Sequence, residues 1–290
     1  MELSVIIVSF NVCDFLRQCL RSVMVESGKI DYEIFVVDNN SEDGSVEMIE
    51  NEFPDVKLII NKVNSGFSVA NNQAIRKSAG RYILLLNPDT IVENGTFSKC
   101  IDFMNNHPDA GALGIRMING EGRFLPESKR ALPTLATAFF KSFGFSFLFP
   151  KSRFFSRYYL PQIDNRQTSL TEVISGAFMF IRLEALNKSG LLDEDYFMYG
   201  EDIDLSYRLL RTGYKNYYYP EIQLVHFKGK STPRNNFKDI LHFYKAMRIY
   251  VMKRSKEGNY VSLRFFILTA VCFKEGIALL NRFLRLIFKK

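Results

Sequence analysis

Carboxylates and amides follow several apolar strand-like runs of the chain, and they are its candidates for metal binding and acid-base chemistry. Asn87-Pro-Asp89 follows the apolar run 82–86, and the polar segment 38–44, rich in Asp and Asn, follows the run 32–37. A carboxylate at the end of a buried strand suits a hard cation such as Mg²⁺ or Mn²⁺ that also binds a diphosphate. The alternative is a turn whose Asp or Asn caps the next helix, and the residues alone leave both open.

A second acidic segment mixes carboxylates with aromatic residues. Its six carboxylates are Asp193, Glu194, Asp195, Glu201, Asp202 and Asp204. Glu201 and Asp202 precede a helical pattern, where they would favour the helix dipole or, beside an apolar cleft, act as a general base. His226 follows another apolar run. A lone histidine is more often structural than a ligand, so its role depends on whether it converges with Asp89.

Predicted strands and helices alternate along the first 120 residues and carry these polar loops. Apolar runs at 3–10, 32–37, 56–60 and 82–86 are separated by amphipathic stretches. Such β-α-β repeats predict an α/β fold with a mainly parallel central sheet flanked by helices. In these sheets ligands bind at the carboxyl ends of the strands, so the polar loops that leave those ends are the predicted site.

The second half of the chain is less regular. A strand is expected over 173–181, a helix over 202–212, and two short strands over 217–219 and 222–226. The segment 136–155 contains eight phenylalanines. It would dip into a membrane, cover an acceptor site, or pack in the core, and the sequence leaves these alternatives open.

Taken together, the motifs resemble the inverting family 2 glycosyltransferases of the GT-A (Rossmann-like) fold over about residues 3–232. They stand in the family's order at 8–11, 36–45, 64–71, 86–89, 175–179, 193–204 and 226–231. Within that family the sequence looks most like the bacterial rhamnosyltransferase-like group that builds O-antigen and related cell-surface glycans. Asn87 occupies the first aspartate position of the family's DxD motif, which leaves that position uncharged.

The resemblance implies a role for each matching residue. The nucleotide-sugar pocket would contain Ser9, Asn11, Asp38, Asn40, Asn64, Gly66, Asn71, Asn87 and Asp89. Asp89 and His226 would bind Mg²⁺ or Mn²⁺, and Gly176 and Ala177 would lie near the acceptor or donor sugar. Asp202 matches the catalytic base, with Glu201 as the second choice. A base without an enzyme nucleophile fits a chain that has no Ser-His or Cys-His signature.

The resemblance also implies substrates and domains. The expected donor is a nucleotide-diphosphate sugar, with dTDP-rhamnose first and UDP-sugars as the alternative. The expected acceptor is a saccharide on undecaprenyl diphosphate. Residues 1–232 would be the catalytic domain, with a nucleotide-sugar half (1–120) and an acceptor half (121–232). The competing classes are a sugar nucleotidyltransferase, which would need an N-terminal Gly-rich basic phosphate loop that is missing here, and a non-catalytic glycan- or membrane-binding protein on the same fold.

The charge distribution separates the remaining segment, 233–290, from the body. The chain contains 38 Lys and Arg and 31 Asp and Glu, and residues 234–290 hold 13 of these basic residues but only 3 of the acidic ones. A slightly acidic body argues against a nucleic-acid binder. A basic stripe beside a wide apolar face predicts two amphipathic helices that lie on an anionic membrane; packing on the catalytic domain, or on a second copy in a homodimer, is the alternative.

Compartment signals agree with this interpretation. The N-terminus has no basic region or small-residue cleavage site typical of a secretory signal, and no uncharged apolar run reaches 18 residues. The cysteines Cys13, Cys19, Cys100 and Cys272 show no metal-binding spacing and suit a reduced compartment. The expectation is a cytoplasmic protein, peripheral on the inner face of the cell membrane.

Overall fold

The computed structural model describes residues 1–25, 30–133, 157–229, 237–255 and 261–287. The strands are β1 Leu3–Ser9, β2 Tyr32–Asp38, β3 Lys57–Ile60, β4 Tyr82–Leu86, β5 Thr90–Val92, β6 Ala110–Ile118, β7 Ser169–Thr171, β8 Phe178–Arg182 and β9 Lys215–His226. The helices are α1 Cys13–Met24, α2 Ser45–Glu52, α3 Phe67–Ile75, α4 Thr96–Asn106, α5 Leu183–Ser189, α6 Glu201–Arg211, α7 Phe237–Arg254 and α8 Val261–Ile287. The Phe-rich segment 136–155 falls outside the described residues.

The first half of the sheet is parallel, in the order β3-β2-β1-β4. Every residue of β1 and β4 is buried, because helices cover both faces of a parallel sheet and continuous apolar runs suit that position. Ser9 of β1 lies beside Asp38 of β2 in the register. The polar residues that follow these strands therefore start from one edge of the sheet, as predicted.

The second half of the sheet is mixed. Strand β8 lies between β4 and β6 and is antiparallel to both, whereas β6 and β9 are parallel. The apolar run predicted as one strand from residue 173 forms β8 only from Phe178, since a turn closed by Phe178 N–H on Ser175 O precedes it. The two short strands predicted before His226 form one strand, β9. Its pairing with β6 shifts register between Ile115 and Arg116, and this irregularity accommodates Pro220.

Apolar side chains fill a layer on each face of the sheet. Leu3, Val5 and Ile7 of β1 belong to the layer that includes α1, α2 and α4. Ile6 and Val8 belong to the other layer, with α3, α5 and α6. Because successive side chains of a strand point to opposite faces, β1 anchors both layers. The fold class is therefore α/β with flanking helices, as the sequence predicted.

The two C-terminal helices pack on each other and α7 also contacts the body. Val251 of α7 and Ile267 and Val271 of α8 form a small apolar cluster. The ring of His242 on α7 stacks on Phe197 at a centroid distance of 4.2 Å. Among the described helices, none combines the length and apolarity that crossing a bilayer needs.

Candidate functional site

Two buried polar side chains at the ends of β1 and β2 begin the site. Ser9 and Asp38 are both fully buried. Asp38 accepts a hydrogen bond from Ser41 N–H through Oδ2 at 2.8 Å. In the part of the chain that the structure describes, Ser9 Oγ and Asp38 Oδ1 have no hydrogen-bond partner. Since buried polar atoms are almost always paired in native proteins, these two atoms indicate a place where a ligand binds.

Asn11 and Asn40 shape the loops beside this pair. Both have left-handed backbone conformations, with φ of 54° and 68°, which asparagine tolerates better than most residues. Asn11 Oδ1 accepts a hydrogen bond from Glu42 N–H at 2.8 Å, and Asn11 N–H donates to Ser41 Oγ at 2.9 Å. The side chain of Asn11 therefore joins the two loops, and both asparagines remain exposed.

The loop before α3 fits tightly against the acidic segment. Asn64 Oδ1 accepts from Gly66 N–H at 3.0 Å, and Phe67 N–H donates to Phe197 O at 2.7 Å. Gly66 has a φ of 85°, and a Cβ there would lie 2.6 Å from Phe197 O. A side chain at Gly66 would therefore strain the backbone and push the two loops apart.

Asn39 is a polar residue of this region that the sequence analysis did not select. It is buried, donates from Nδ2 to Gly66 O at 3.3 Å, and accepts from Asn61 Nδ2 at 2.9 Å. The sequence did indicate this role, because an amide side chain between two other polar residues at the end of a strand usually forms hydrogen bonds with a neighbouring loop. Asn39 fixes the loop 64–67 against the end of β2.

The adjacent asparagines of α3 have different surroundings. Asn72 holds the acidic segment, since its Nδ2 donates to Leu192 O and to Glu194 Oε1, both at 2.8 Å. Asn71 is buried and donates to Phe67 O at 2.9 Å. Its Oδ1 has no partner among the described residues. Only Asn71 therefore retains a free acceptor, which agrees with its predicted place in a ligand pocket.

Asp89 and His226 converge, although 137 positions of the chain separate them. Thr90 of β5 pairs with His226 of β9, and Phe227 N–H donates to Asp89 O at 2.9 Å. This pairing places His226 Nε2 3.3 Å from Asp89 Oδ1. Both side chains are buried. A function for His226 was expected only if its side chain lies close to Asp89, and the structure places the two together.

This pair fits a divalent cation. A carboxylate oxygen and an imidazole nitrogen are both good donors for Mn²⁺, and Mg²⁺ favours the oxygen. His226 Nδ1 has no hydrogen-bond partner in the described parts of the chain. No group of three or more His, Cys, Asp or Glu side chains gathers there. Two protein ligands leave most of the coordination sphere for a diphosphate and water, as is usual for such ions.

A short chain of hydrogen bonds joins the Asp89 turn to Asp202. Asn87 N–H donates to Ala177 O at 3.1 Å, and Gly176 N–H donates to Asp202 Oδ2 at 3.2 Å. The side chain of Asp202 is 14% exposed, so a substrate can reach it. The predicted sugar-contacting pair, Gly176 and Ala177, therefore lies between the predicted metal residue and the predicted base.

A strained turn delivers the two acids of α6 to this place. Tyr199 and Gly200 both have left-handed conformations, with φ of 70° and 89°, and Glu201 begins the helix. Tyrosine rarely adopts this conformation, so the turn stores strain. Burial, together with the charge of Asp202, raises the pKa of Glu201 to about 8. Glu201 is thus mostly protonated at neutral pH, and its Oε2 has no partner among the described residues.

Glu201→Gln is expected to remove a pH dependence of stability. The pKa of Glu201 rises from 4.5 to about 8 on folding. Its contribution is therefore fully present below about pH 4.5 and is lost as the pH rises towards 8, by at most about 1.4 kcal/mol per pH unit. Urea unfolding at pH 5 and pH 8 measures this loss. Wild type should lose more stability over this interval than E201Q, and parallel losses would contradict the burial of a protonated Glu201.

The other four carboxylates of the acidic segment are occupied by ion pairs. Glu194 pairs with Arg76 at 2.9 Å. Asp193 and Asp195 both bind Lys253 of α7. The fourth, Asp204, binds Arg208 at 2.7 Å and Arg254 at 3.3 Å. These four carboxylates hold the loop and α7 in place, whereas Asp202 contacts Gly176 of the predicted site.

Arg130, like Asn39, is a residue of this site that was not predicted from the sequence. Its buried guanidinium forms an ion pair with Asp202. Burial alone would lower the pKa of Arg130, but Asp202 and Tyr158 together raise it above its ordinary value. The sequence did contain an indication of this role, the adjacent basic residues Lys129 and Arg130, which precede a largely apolar segment. Because a buried acid needs a buried cation, a basic residue at such a position is a candidate partner.

Comparison with known proteins agrees with this geometry. The family model for glycosyl transferase family 2 matches residues 4–190. The chain therefore belongs to glycosyl transferase family 2, and its fold is GT-A. The mannosyltransferase PcManGT from Pyrobaculum calidifontis, solved with GDP-Man and Mn²⁺, superposes with a TM-score of 0.60 over 97% of this chain and 72% of that one, at 16% identity. S. aureus TarS residues 1–349 superpose with a TM-score of 0.59 at 18% identity, over 99% and 72% of the two chains.

Two curated relatives are rhamnosyltransferases. The N-acetylglucosaminyl-diphospho-decaprenol L-rhamnosyltransferase of Mycobacterium tuberculosis is 26% identical over 263 residues, which cover 87% of this chain and 84% of the relative. The rhamnosyltransferase WbbL of Escherichia coli is 26% identical over 231 residues, covering 77% and 82%. The chain is a rhamnosyltransferase-like member of its family, as the motifs predicted.

Proposed function

We propose that this protein is an inverting glycosyltransferase that moves a sugar from a nucleotide-diphosphate donor to a lipid-linked saccharide. The observation that carries the proposal is the hydrogen-bonded path from Asp202 through Gly176 and Ala177 to the Asn87-Pro-Asp89 turn, with His226 beside Asp89. In this proposal the base and the pair of metal ligands lie at the two ends of this path, with the sugar between them.

The donor occupies the edge formed by the loops after β1, β2 and β3. The unpaired polar atoms of Ser9, Asp38 and Asn71 are suited to the base and ribose of a nucleotide. Asn11, Asn40, Asn64 and Gly66 set the shape of the loops around them. We propose dTDP-rhamnose as the donor, since the curated relatives above are named as rhamnosyltransferases; UDP-hexose and UDP-HexNAc donors are the alternative.

Asp89 and His226 are the residues that would hold Mg²⁺ or Mn²⁺, and Asn87 lies beside them without adding a charge. The ion, when bound, neutralises the diphosphate and makes it a better leaving group. Two solved neighbours contain Mn²⁺, the mannosyltransferase with GDP-Man and GalNAc-T7 with UDP and GalNAc. That likeness and the donor set of Asp89 and His226 support the proposed cofactor.

Asp202 is the proposed general base. A hydroxyl is a poor nucleophile near neutral pH, and a carboxylate within hydrogen-bond reach can accept its proton as it attacks. The acceptor oxygen forms the new bond to the anomeric carbon while the bond to the diphosphate breaks. The proton passes to an oxygen of Asp202, and the nucleoside diphosphate leaves with the electron pair. A single displacement of this kind inverts the anomeric configuration.

The C-terminal helices are the proposed membrane-binding element, residues 233–290, beside a catalytic domain of residues 1–232. In this division residues 1–120 bind the donor and residues 121–232 bind the acceptor. Large apolar side chains stay exposed on α8, including Phe265 at 71% and Phe273 at 68%. Exposed aromatic residues together with the basic excess suit the interface of an anionic bilayer. A homodimer through this face is the alternative.

The membrane and the acceptor belong to one proposal. A relative's name places its acceptor on decaprenyl diphosphate, and we propose undecaprenyl diphosphate carrying a saccharide for this chain. An enzyme acting on such a lipid would work on the cytoplasmic face of the cell membrane, in the synthesis of an O-antigen-like polysaccharide. The helix α7 connects this surface to the acidic segment, because His242, Lys253 and Arg254 all contact it.

A transfer assay on anionic vesicles tests the proposed function. The vesicles carry undecaprenyl-diphosphate-GlcNAc, and the protein is mixed with Mn²⁺ and either dTDP-rhamnose or a UDP-sugar. The expected result is release of dTDP, a lipid product of inverted anomeric configuration, and sedimentation of the protein with the vesicles. Release of UDP instead would select the alternative donors. Binding to vesicles or glycan without release of any nucleotide would show a non-catalytic protein, and a dimer that ignores vesicles would contradict the membrane role.

A further inference from the structure

Arg130 belongs to the proposed acceptor half, residues 121–232, and its side chain contacts three other residues of that half. Its guanidinium binds Asp202, donates to Tyr158 Oη at 3.2 Å and donates to Ile174 O at 3.3 Å. The side chain is 11% exposed. A buried guanidinium is costly unless its charge is paired, and the carboxylate of Asp202 provides that pairing.

The backbone of Arg130 is fixed as firmly as its side chain. Arg130 N–H donates to Thr171 Oγ1 at 3.2 Å, and Val173 N–H donates to Arg130 O at 2.9 Å. The residue forms an antiparallel bridge with Val173, three positions before Gly176. Arg130 therefore reaches Asp202 from the same backbone that supplies the Gly176 N–H, so one rigid unit makes both contacts to Asp202 Oδ2.

We propose that Arg130 is a positioning residue for the reaction: its guanidinium fixes the orientation in which the Asp202 carboxylate accepts a proton. The proposal rests on the proposed function, in which Asp202 is the base. Arg130 itself touches neither the donor nor the acceptor in this scheme and acts only through Asp202.

The charged groups around Asp202 show which of them can orient its carboxylate. Glu201 and Asp202 are neighbours on the first turn of α6. Tyr158 is the further ionisable group that contacts Arg130. From α7, the ionisable side chains that touch the acidic segment are His242 at Phe197, Lys253 at Asp193 and Asp195, and Arg254 at Asp204. Among these described contacts, Arg130 is the cation that bonds directly to Asp202.

The test compares two substitutions of Arg130 with the same substitutions of a second buried arginine. Arg182 donates to Met104 O at 2.7 Å and to Ala110 O at 2.9 Å. It binds carbonyl groups and no site residue, so Arg182→Lys and Arg182→Gln are the matched controls. For each variant the measurements are kcat, KM for the donor and acceptor, and thermal stability.

Each variant has a distinct expected result. Arg130→Lys keeps the charge but loses the planar fork, so its kcat should fall about 10- to 100-fold at unchanged donor KM. Arg130→Gln loses both the charge and the fork, so its kcat should fall at least as far, again at unchanged donor KM. The Arg182 variants should lose thermal stability without a change in kcat.

The outcomes separate this inference from the proposed function. If wild type transfers sugar and Arg130→Lys retains wild-type kcat, the guanidinium does not position Asp202 and the inference is wrong. A wild-type kcat in Arg130→Gln also overturns it. If Arg130→Gln fails to fold, the kcat of Arg130→Lys decides alone. Absence of transfer by wild type with every donor would instead overturn the proposed function.

Discussion

Replacing Asp202 with asparagine is expected to abolish sugar transfer while donor binding persists. The amide cannot accept the proton of the acceptor hydroxyl, and a general base typically contributes about 10²- to 10⁴-fold to a rate. Asparagine also gives up the ion pair with Arg130, so the loss should lie at the upper end of this range. Transfer measured with a labelled donor, and donor affinity measured by thermal shift, give the two quantities.

Asp195→Asn is the matched control for this substitution. Asp195 belongs to the same acidic segment, but its side chain is 67% exposed and its ion pair is with Lys253 of α7. We expect D195N to transfer at the wild-type rate. Equal activity of D202N and wild type would remove Asp202 from the mechanism and make Glu201 the next residue to substitute.

Asp89→Ala and His226→Ala are each expected to raise the concentration of Mn²⁺ that half-maximal activity requires. The pair forms the candidate metal site, with Nε2 and Oδ1 3.3 Å apart. Losing one of two protein ligands should weaken metal affinity at least about tenfold, since even outer-shell partners of a metal contribute 10- to 100-fold. Titrating Mn²⁺ into each EDTA-treated variant during the transfer assay measures the shift.

Asp109→Ala provides the control for the metal prediction. Asp109 precedes β6 at the opposite end of the sheet from the candidate site and pairs with Lys215 at 2.9 Å. Its loss should leave the Mn²⁺ titration where wild type has it. Wild-type activity that EDTA leaves untouched would show that Asp89 and His226 hold no essential metal, and their contact would then be structural.

Much of the fold could be predicted from local patterns. The runs 3–9 and 82–86 are apolar at almost every position, which is typical of strands covered on both faces, and both are buried strands of the parallel half. Strand β8 was harder, because its direction depends on its neighbours. It runs antiparallel between β4 and β6, and an apolar run carries no information about the direction of the strands beside it.

The residues of the candidate site likewise include some that local patterns predict and others that depend on the fold. Asp89 and His226 were predicted to matter only if they met, and the pairing of β5 with β9 brings them together. The acidic segment contained six equivalent candidates. Five of them form ion pairs, with Arg76, Arg130, Arg208, Lys253 and Arg254. Sequence spacing could not identify most of these partners, since they lie as many as 118 residues away.

The α/β class, the family and the polar residues that end each strand follow from local patterns, because strand periodicity and the turn chemistry of Asp, Asn and Gly are local properties. The pairing of carboxylates with cations, including that of Asp202 with Arg130, depends on the folded chain. An ion pair requires two side chains to lie close together in space. Distances between residues remote in the chain are fixed by packing and strand order, which no local pattern contains.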